Sequence, residues 1–313
     1  MHQSNLHLEN SKPKRKGICP WCGQRKLTYY VDDTGEYTQR FHDANVGRCD
    51  RENNCEYHYT PAEFFKNHPA DLTRRCTPIR KVAPPKQPPS YISSDIMTAT
   101  LSGYEHDNLF RFLARQFGQD EAQRLYTLYN VGHSDQWPGA TVFWQIDSAG
   151  RVRAGKVMHY NEDGHRIKDP QRAHVSWVHS LLKLPDFHLC QCFFGEHLLL
   201  TNPKAKVVIV ESEKTAIICA HFFPSFVWIA TGGKAGCFNV EASQVLRGRD
   251  VMLMPDLGAE DEWNKKAEML RPICKSVKVL TTLTDRATDE QRARGLDIAD
   301  FLLEQTRDGP ACG

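Results

Sequence analysis

From residue 205 to residue 256 the chain reads AKVVIVESEKTAIICAHFFPSFVWIATGGKAGCFNVEASQVLRGRDVMLMPD. Three short runs within it, KVVIV, FVWIA and DVMLM, are almost wholly apolar, and a helical stretch, ESEKTAIICAHF, separates the first two. Runs of four or five residues are too short for buried helices, and apolar side chains at nearly every position imply burial on both faces. The glycine loop GGKAG and a short helical stretch, NVEASQVL, connect the second run to the third. EDEWNKKAEML then reads as a helix and VKVL as a fourth strand. Short buried strands alternating with helices imply an α/β fold built on a parallel sheet covered on both faces.

Upstream, EHDNLFRFLARQFG places Leu109, Phe110, Leu113 and Phe117 on one helical face, and DEAQRLYTLY resumes a helix after the break at Gly118. ATVFWQID, a turn at 148–150 and RVRAGKVMHY form a hairpin pattern, with Val142 and Trp144 alternating with Phe143 and Gln145. HVSWVHSLL reads as a short helix, and FFGEHLLL as a strand or a helix start. RKVAPPKQPPS has four prolines in eleven residues and reads as a semi-rigid spacer.

The N-terminal part is organised by cysteine. Cys19-Pro-Trp-Cys22-Gly forms a knuckle, 26 residues separate Cys22 from Cys49, and five separate Cys49 from Cys55. A strand at 27–31, a turn at 32–35 and a second strand around 37–41 would carry the chain from the knuckle to the second pair. That order matches a zinc ribbon with a structural Zn²⁺ on Cys19, Cys22, Cys49 and Cys55. His58 lies three residues past Cys55 and is an alternative to Cys49, and His42 is a remoter candidate. A redox Cys-x-x-Cys would instead open a helix after a strand, and nothing here has that form. TPAEFFKNH opens like a helix, with Thr60 as N-cap, Pro61 in the first turn and Glu63 closing a capping box.

Five segments follow: a disordered basic arm (1–16), the zinc ribbon (17–68), the proline-rich linker (69–95), an α+β segment (96–204) and the parallel α/β domain (205–313). The 313 residues suffice for two or three compact units. Net charge is only +2. Residues 1–90, however, carry 15 Lys and Arg against 10 Asp and Glu, so the positive excess sits with the cysteine cluster, as phosphate contact requires. Trp21, Arg25, Lys26, Tyr29, Tyr30, Arg40, Arg48 and Arg51 suit stacking and phosphate contact with single strands, and equally suit a small core with a charged rim. No apolar run approaches 18 residues, which excludes a membrane-spanning helix. MHQSNLHLENSKPKRKG lacks the apolar centre of a secretory signal, and eleven cysteines without one fit a reducing cytoplasm better than disulfides.

Acidic residues follow the strands. Glu211 ends the first run, Asp256 lies just past the third, and Asp297 and Asp300 fall in GLDIADFLL after the fourth. Residues beyond the carboxyl ends of parallel strands collect on one rim, where ligands bind. Carboxylates gathered there repel one another unless a cation such as Mg²⁺ joins them. An Asp in such a place is also a common helix cap, and Asp297 before IADFLLE fits that role too.

VVIVESEKTA, ATGGKAG, LRGRDVMLMPDLGAED and GLDIADFL, in this order, resemble the ordered motifs of the Toprim domains of phage and mobile-element primases. VFWQIDSAGRVRAGKVMHY and CQCFFGEHL are similar to the β-rich part of the primase core that precedes Toprim, and the zinc ribbon in front completes the primase order of parts. The resemblance covers most of residues 17–305. It implies Glu211 as general acid/base or metal ligand, Asp256, Asp297 and Asp300 as Mg²⁺ ligands, and Lys214 as a phosphate contact. Gly258 stands where the family's Pro-Asp-x-Asp motif has its second acid, so a two-metal site loses one arm unless Glu260 or Asp261 reaches in. Ser212 replaces the glycine that usually follows the glutamate.

Three functions are consistent with these features. One is magnesium-dependent primer synthesis on single-stranded DNA, with RNA as the other possible nucleic acid and replication or mobilisation proteins as partners. The second is a non-catalytic zinc-ribbon DNA-binding protein with a degenerate Toprim domain. The third is a Toprim nuclease. No GxxxxGK[ST] loop occurs, which argues against helicase or gyrase activity.

Overall fold

A computed structural model describes residues 6–9, 16–32, 37–51, 55–68, 87–169, 173–233 and 236–307. The chain divides into two compact units, Met1–Lys86 and Gln87–Gly313. Most of the predicted linker, the turn after Asp32, and Lys234 and Ala235 of the glycine loop lie outside the described residues.

The first unit carries an antiparallel sheet of β1 (Leu6–Leu8), β2 (Leu27–Asp32), β3 (Gly47–Cys49) and β4 (His58–Tyr59), in that spatial order. Two elements differ from the sequence reading. Leu6–Leu8, expected within a disordered arm, pairs with β2, and Leu6 packs against the small core of Phe41, Val46 and Phe64. The expected strand around 37–41 is a helix, Thr38–Asp43. Its first amides are satisfied from outside: Asp32 Oδ1 accepts from the Tyr37 and Thr38 amides at 3.0 and 3.1 Å. Tyr37 and Phe41, one turn apart, then stack at 5.9 Å. The helix Pro61–Asn67 has the predicted capping box, with Thr60 and Glu63 bonding reciprocally.

The second unit holds two four-stranded sheets. The antiparallel one runs β5 (Val131–Ser134), β6 (Ala140–Ile146), β7 (Val152–His159) and β8 (Val175–Trp177). The predicted HVSWVHSLL helix is thus partly strand, with a four-residue helix, Val178–Leu181, after it. FFGEHLLL resolves as a helix, Leu198–Thr201. The parallel sheet comprises β9 (Val207–Val210), β10 (Val227–Ala230), β11 (Asp250–Leu253) and β12 (Ser276–Val279), ordered β10-β9-β11-β12. Every residue of β9 and β10 is buried, as their apolar sequences demand, whereas β12 is a half-exposed edge.

One core joins these parts. Leu109, Leu113 and Leu125 of the helices Asn108–Phe117 and Gln119–Tyr129 pack with Phe143 of β6 and with Ile209, Ile217 and Ile229 of the parallel domain. Val142, Trp144 and Ile146 point to the other face of β6, into a second cluster with Ile92, Val152 and Val178. The alternation read in ATVFWQID therefore separates two buried faces rather than an inside from an outside. Among the described residues no helix is long and apolar enough to cross a membrane.

Candidate functional site

Within the first unit, Cys19, Cys22, Cys49 and Cys55 bring their sulfurs within 4.8 Å of one another. Cys19 Sγ lies 3.6 Å from Cys55 Sγ, and Cys22 Sγ lies 3.9 Å from Cys49 Sγ. Four thiolates at 2.3 Å from a tetrahedral zinc are about 3.8 Å apart, so the donor set and its spacing fit Zn²⁺. The knuckle is closed by the Gly23 amide donating to the Cys19 carbonyl at 2.9 Å, with Gly23 at φ +70°. The Gln24 amide draws the Cys22 thiol down to about 7, while burial pushes Cys49 up to about 12. Four thiolates in so small a space call for a dication. Cys49 supplies the fourth sulfur of the cluster. His58, the alternative, instead has its Nε2 2.9 Å from the Tyr30 hydroxyl and its ring stacked on Tyr30. The His42 ring lies tilted against Tyr29, centroids 4.2 Å apart, outside the sulfur cluster.

The acids of the second unit occupy one rim of the parallel sheet. Glu211 directly follows β9, Asp256 lies three residues past β11, and Asp297 and Asp300 sit at the start of the helix Ile298–Arg307. The rim acids are close enough to act on one another. Burial, together with the charges of Asp297, Glu211 and Asp300, pushes the Asp256 carboxyl up to about 8. Burial and then Asp300 also raise Asp297, against the opposing pull of the Thr215 hydroxyl and of Lys214. Thr215 donates to Asp297 Oδ2, and the Asp300 amide donates to Asp297 Oδ1 at 3.0 Å. Asp297 is therefore both a helix cap and a member of the acidic group. Among the described residues only the four cysteines converge within 4.8 Å, so the carboxylates are neighbours without forming a closed cage.

Lys214 donates to the Gly164 carbonyl at 3.2 Å, which ties the helix Glu213–Phe222 to the segment after β7. Gly258 is exposed with φ +87° and offers no ligand. Glu260 does not fill the gap, because its carboxylate accepts the Thr284 hydroxyl at 2.7 Å, and Asp261 is exposed.

The sequence reading missed a buried pair beside this rim. Lys156 of β7 and Glu213, with side chains 8% and 3% exposed, form an ion pair at 3.0 Å. A lysine within the apolar strand VRAGKVMH was the signal for it. A cavity of about 600 Å³ is lined by residues that include Arg151, Arg153, Cys190, Cys192, Glu196 and Cys237, and by none of the rim acids.

Residues 4–70 match the family described as a Zinc beta-ribbon finger, and residues 107–257 match Domain of unknown function (DUF6371). The second span runs from the start of the helix Asn108–Phe117 through Asp256 and stops before Asp297. No curated protein matches the chain. Among solved structures, the RNA polymerase domain of Mycobacterium tuberculosis primase DnaG is 13% identical, with a TM-score of 0.42 over 69% of this chain and 80% of that one. The Escherichia coli primase catalytic core is 12% identical, with a TM-score of 0.41 over 67% and 81%. The primase fragment of the bacteriophage T7 primase-helicase is 14% identical, with a TM-score of 0.38 over 90% and 98%. The N-terminal match and the four-cysteine cluster together show a zinc-ribbon unit at the start of this chain.

Proposed function

We propose that the chain acts on nucleic acid as a primase-like protein, and that Glu211, Asp256, Asp297 and Asp300 hold Mg²⁺ for nucleotidyl transfer in the replication or transfer of a mobile element. The observation that carries this reading is the Asp256 carboxyl, pushed up to about 8 among Asp297, Glu211 and Asp300. A carboxyl group so placed gains its charge most readily beside a cation. Bound Mg²⁺ would neutralise phosphate oxygens and lower the cost of forming a nucleophilic oxyanion. The chain's own residues would do the rest. Asp297, fixed by Thr215 and Asp300, presents its carboxylate in one orientation. Lys214 lies on the same rim as the cation for phosphate.

Single-stranded DNA is the proposed ligand of the ribbon, whose Trp21 is 78% exposed beside Arg25 and Lys26. Among the similar structures, a DnaG primase catalytic domain is bound to ssDNA. Calorimetric titration with Mn²⁺ and Mg²⁺ tests the reading. The wild type should bind metal and Asp256→Ala should not, and template-dependent primer synthesis should vanish with the metal. Metal binding retained by Asp256→Ala would sink the assignment.

Gly258 and the Glu260–Thr284 hydrogen bond favour a second reading, a non-catalytic DNA-binding protein. It predicts salt-sensitive DNA binding that survives Glu211→Ala.

A further inference from the structure

We propose that the Lys156–Glu213 pair is a positioning device that holds the backbone of Glu211 through the Gly232–Gly233 turn, an inference that deepens the metal-rim reading above. The Lys156 ammonium donates to Glu213 Oε1 at 3.0 Å, to Glu213 Oε2 at 3.3 Å and to the Gly232 carbonyl at 2.8 Å. An ammonium has three hydrogens, so every one is used, and the charge is neutralised inside the protein. The same peptide unit that offers the Gly232 carbonyl to Lys156 offers the Gly233 amide to the Glu211 carbonyl at 3.1 Å. The Gly232 amide reaches that carbonyl at 3.1 Å as well. One rigid peptide plane therefore links Lys156, on the antiparallel sheet, to Glu211, on the rim of the parallel sheet.

The Thr231 hydroxyl also reaches the Glu211 and Gly233 carbonyls, at 3.3 and 3.2 Å, from the other end of the turn. Gly232 and Gly233 have φ of +81° and +121°, which L side chains rarely adopt. A Cβ on Gly232 would lie 3.3 Å from Glu213 Oε1 and 3.5 Å from Gln145 Nε2. Glu213 stands in the first turn of its helix, where a carboxylate is favoured. A buried ion pair adds little net stability compared with apolar residues of the same size. Its retention here is explained by the third hydrogen bond, the one to Gly232.

The test uses the full chain with the double substitution Lys156→Met/Glu213→Leu, which replaces the pair by apolar volume. We expect a melting temperature near that of the wild type. Exchange at the Gly232 and Gly233 amides should be faster by about tenfold or more, the scale of a lost charge-assisted hydrogen bond, with Mn²⁺ affinity falling by a similar factor. Unchanged amide exchange overturns the latch, whatever the metal does. Faster exchange with unchanged Mn²⁺ affinity overturns its positioning role. If the wild type binds no metal while the amides still lose protection, the metal-rim reading fails and the latch stands. Should the double variant not fold, Lys156→Arg, which keeps the charge and displaces the donors, carries the same exchange measurement.

Discussion

Asp297 and Asp300 hold one another reciprocally: the Asp297 amide donates to Asp300 Oδ2 at 3.2 Å, and the Asp300 amide donates to Asp297 Oδ1 at 3.0 Å. This is a helix cap built from the same two carboxylates that are proposed to hold a cation at the acidic rim. Capping and ligation use the groups differently, so one substitution separates them. Asp297→Ser keeps a capping oxygen and should cost no more than about 0.5 kcal/mol, whereas Asp297→Ala should cost about 1 kcal/mol. Both should lose metal affinity. Urea denaturation and Mn²⁺ titration of the two variants check the separation, and a Ser variant that binds metal normally would reduce Asp297 to a cap.

The elevated Asp256 carboxyl has a pH consequence whose sign is fixed. Its ordinary value is 3.8 and its value in the fold is about 8, so between these pH values the folded state holds a proton that the unfolded chain has released. Stability contributed by that proton is complete below 3.8 and is lost as pH rises through about 8. Asp107 and Glu196, each pushed up to about 7 by burial, act in the same direction. The metal-free protein should therefore lose stability as pH rises from about 4 to about 8, and Asp256→Asn should flatten the part of that slope above about 7. Metal binding near neutral pH should release a proton, measurable as a buffer-dependent heat. A slope unaltered by Asp256→Asn would contradict the placement of Asp256 among the acids.

How much was legible in the sequence follows from how local each cause is. The strands VVIV and VWIA announce themselves because burial on both faces requires unbroken apolar runs. The helix at Pro61 is legible because Thr60 and Glu63 cap each other within four residues. The helix Thr38–Asp43 reads as a strand in sequence because its start is stabilised by Asp32, five and six residues before the amides it accepts from. The spacing of Tyr37 and Phe41 fits one helical turn, yet only the fold shows them stacked. Glu211 and Asp256 follow apolar strands and could be placed from them, whereas Asp297 and Asp300 lie two helices past β12. The Lys156–Glu213 latch could not be placed, since its partners are 57 residues apart and meet only when the two sheets share a core.

The zinc ligands make a prediction that separates Cys49 from His58. Cys49→Ser should lose the metal and the fold of the first unit together, because a structural zinc supplies most of the folding free energy of so small a core. His58→Ala should retain one zinc per chain and give up only the hydrogen bond to the Tyr30 hydroxyl, at a cost of about 1 kcal/mol. Metal content by atomic emission and the near-ultraviolet dichroism of the ribbon tyrosines read both outcomes. Zinc lost from the His58 variant would overturn the four-cysteine site.

Gln145 supplies the last prediction. Its side chain is 1% exposed on β6, and neither amide atom has a hydrogen-bond partner in the protein. It lies beside the Gly232 turn, where Lys156 bonds both Glu213 and the Gly232 carbonyl. A buried amide with no partner has given up its hydration and received nothing in return, a cost of about 1–3 kcal/mol. Leucine fills a similar volume with no polar group to desolvate. Gln145→Leu should therefore stabilise the second unit by about 1 kcal/mol, read as a higher urea midpoint at unchanged slope. Gln145→Glu should do the opposite, since it places another carboxylate in the buried surroundings of Glu213. A destabilised Leu variant would show that the amide is satisfied in solution, and would mark Gln145 as a polar contact of the glycine turn.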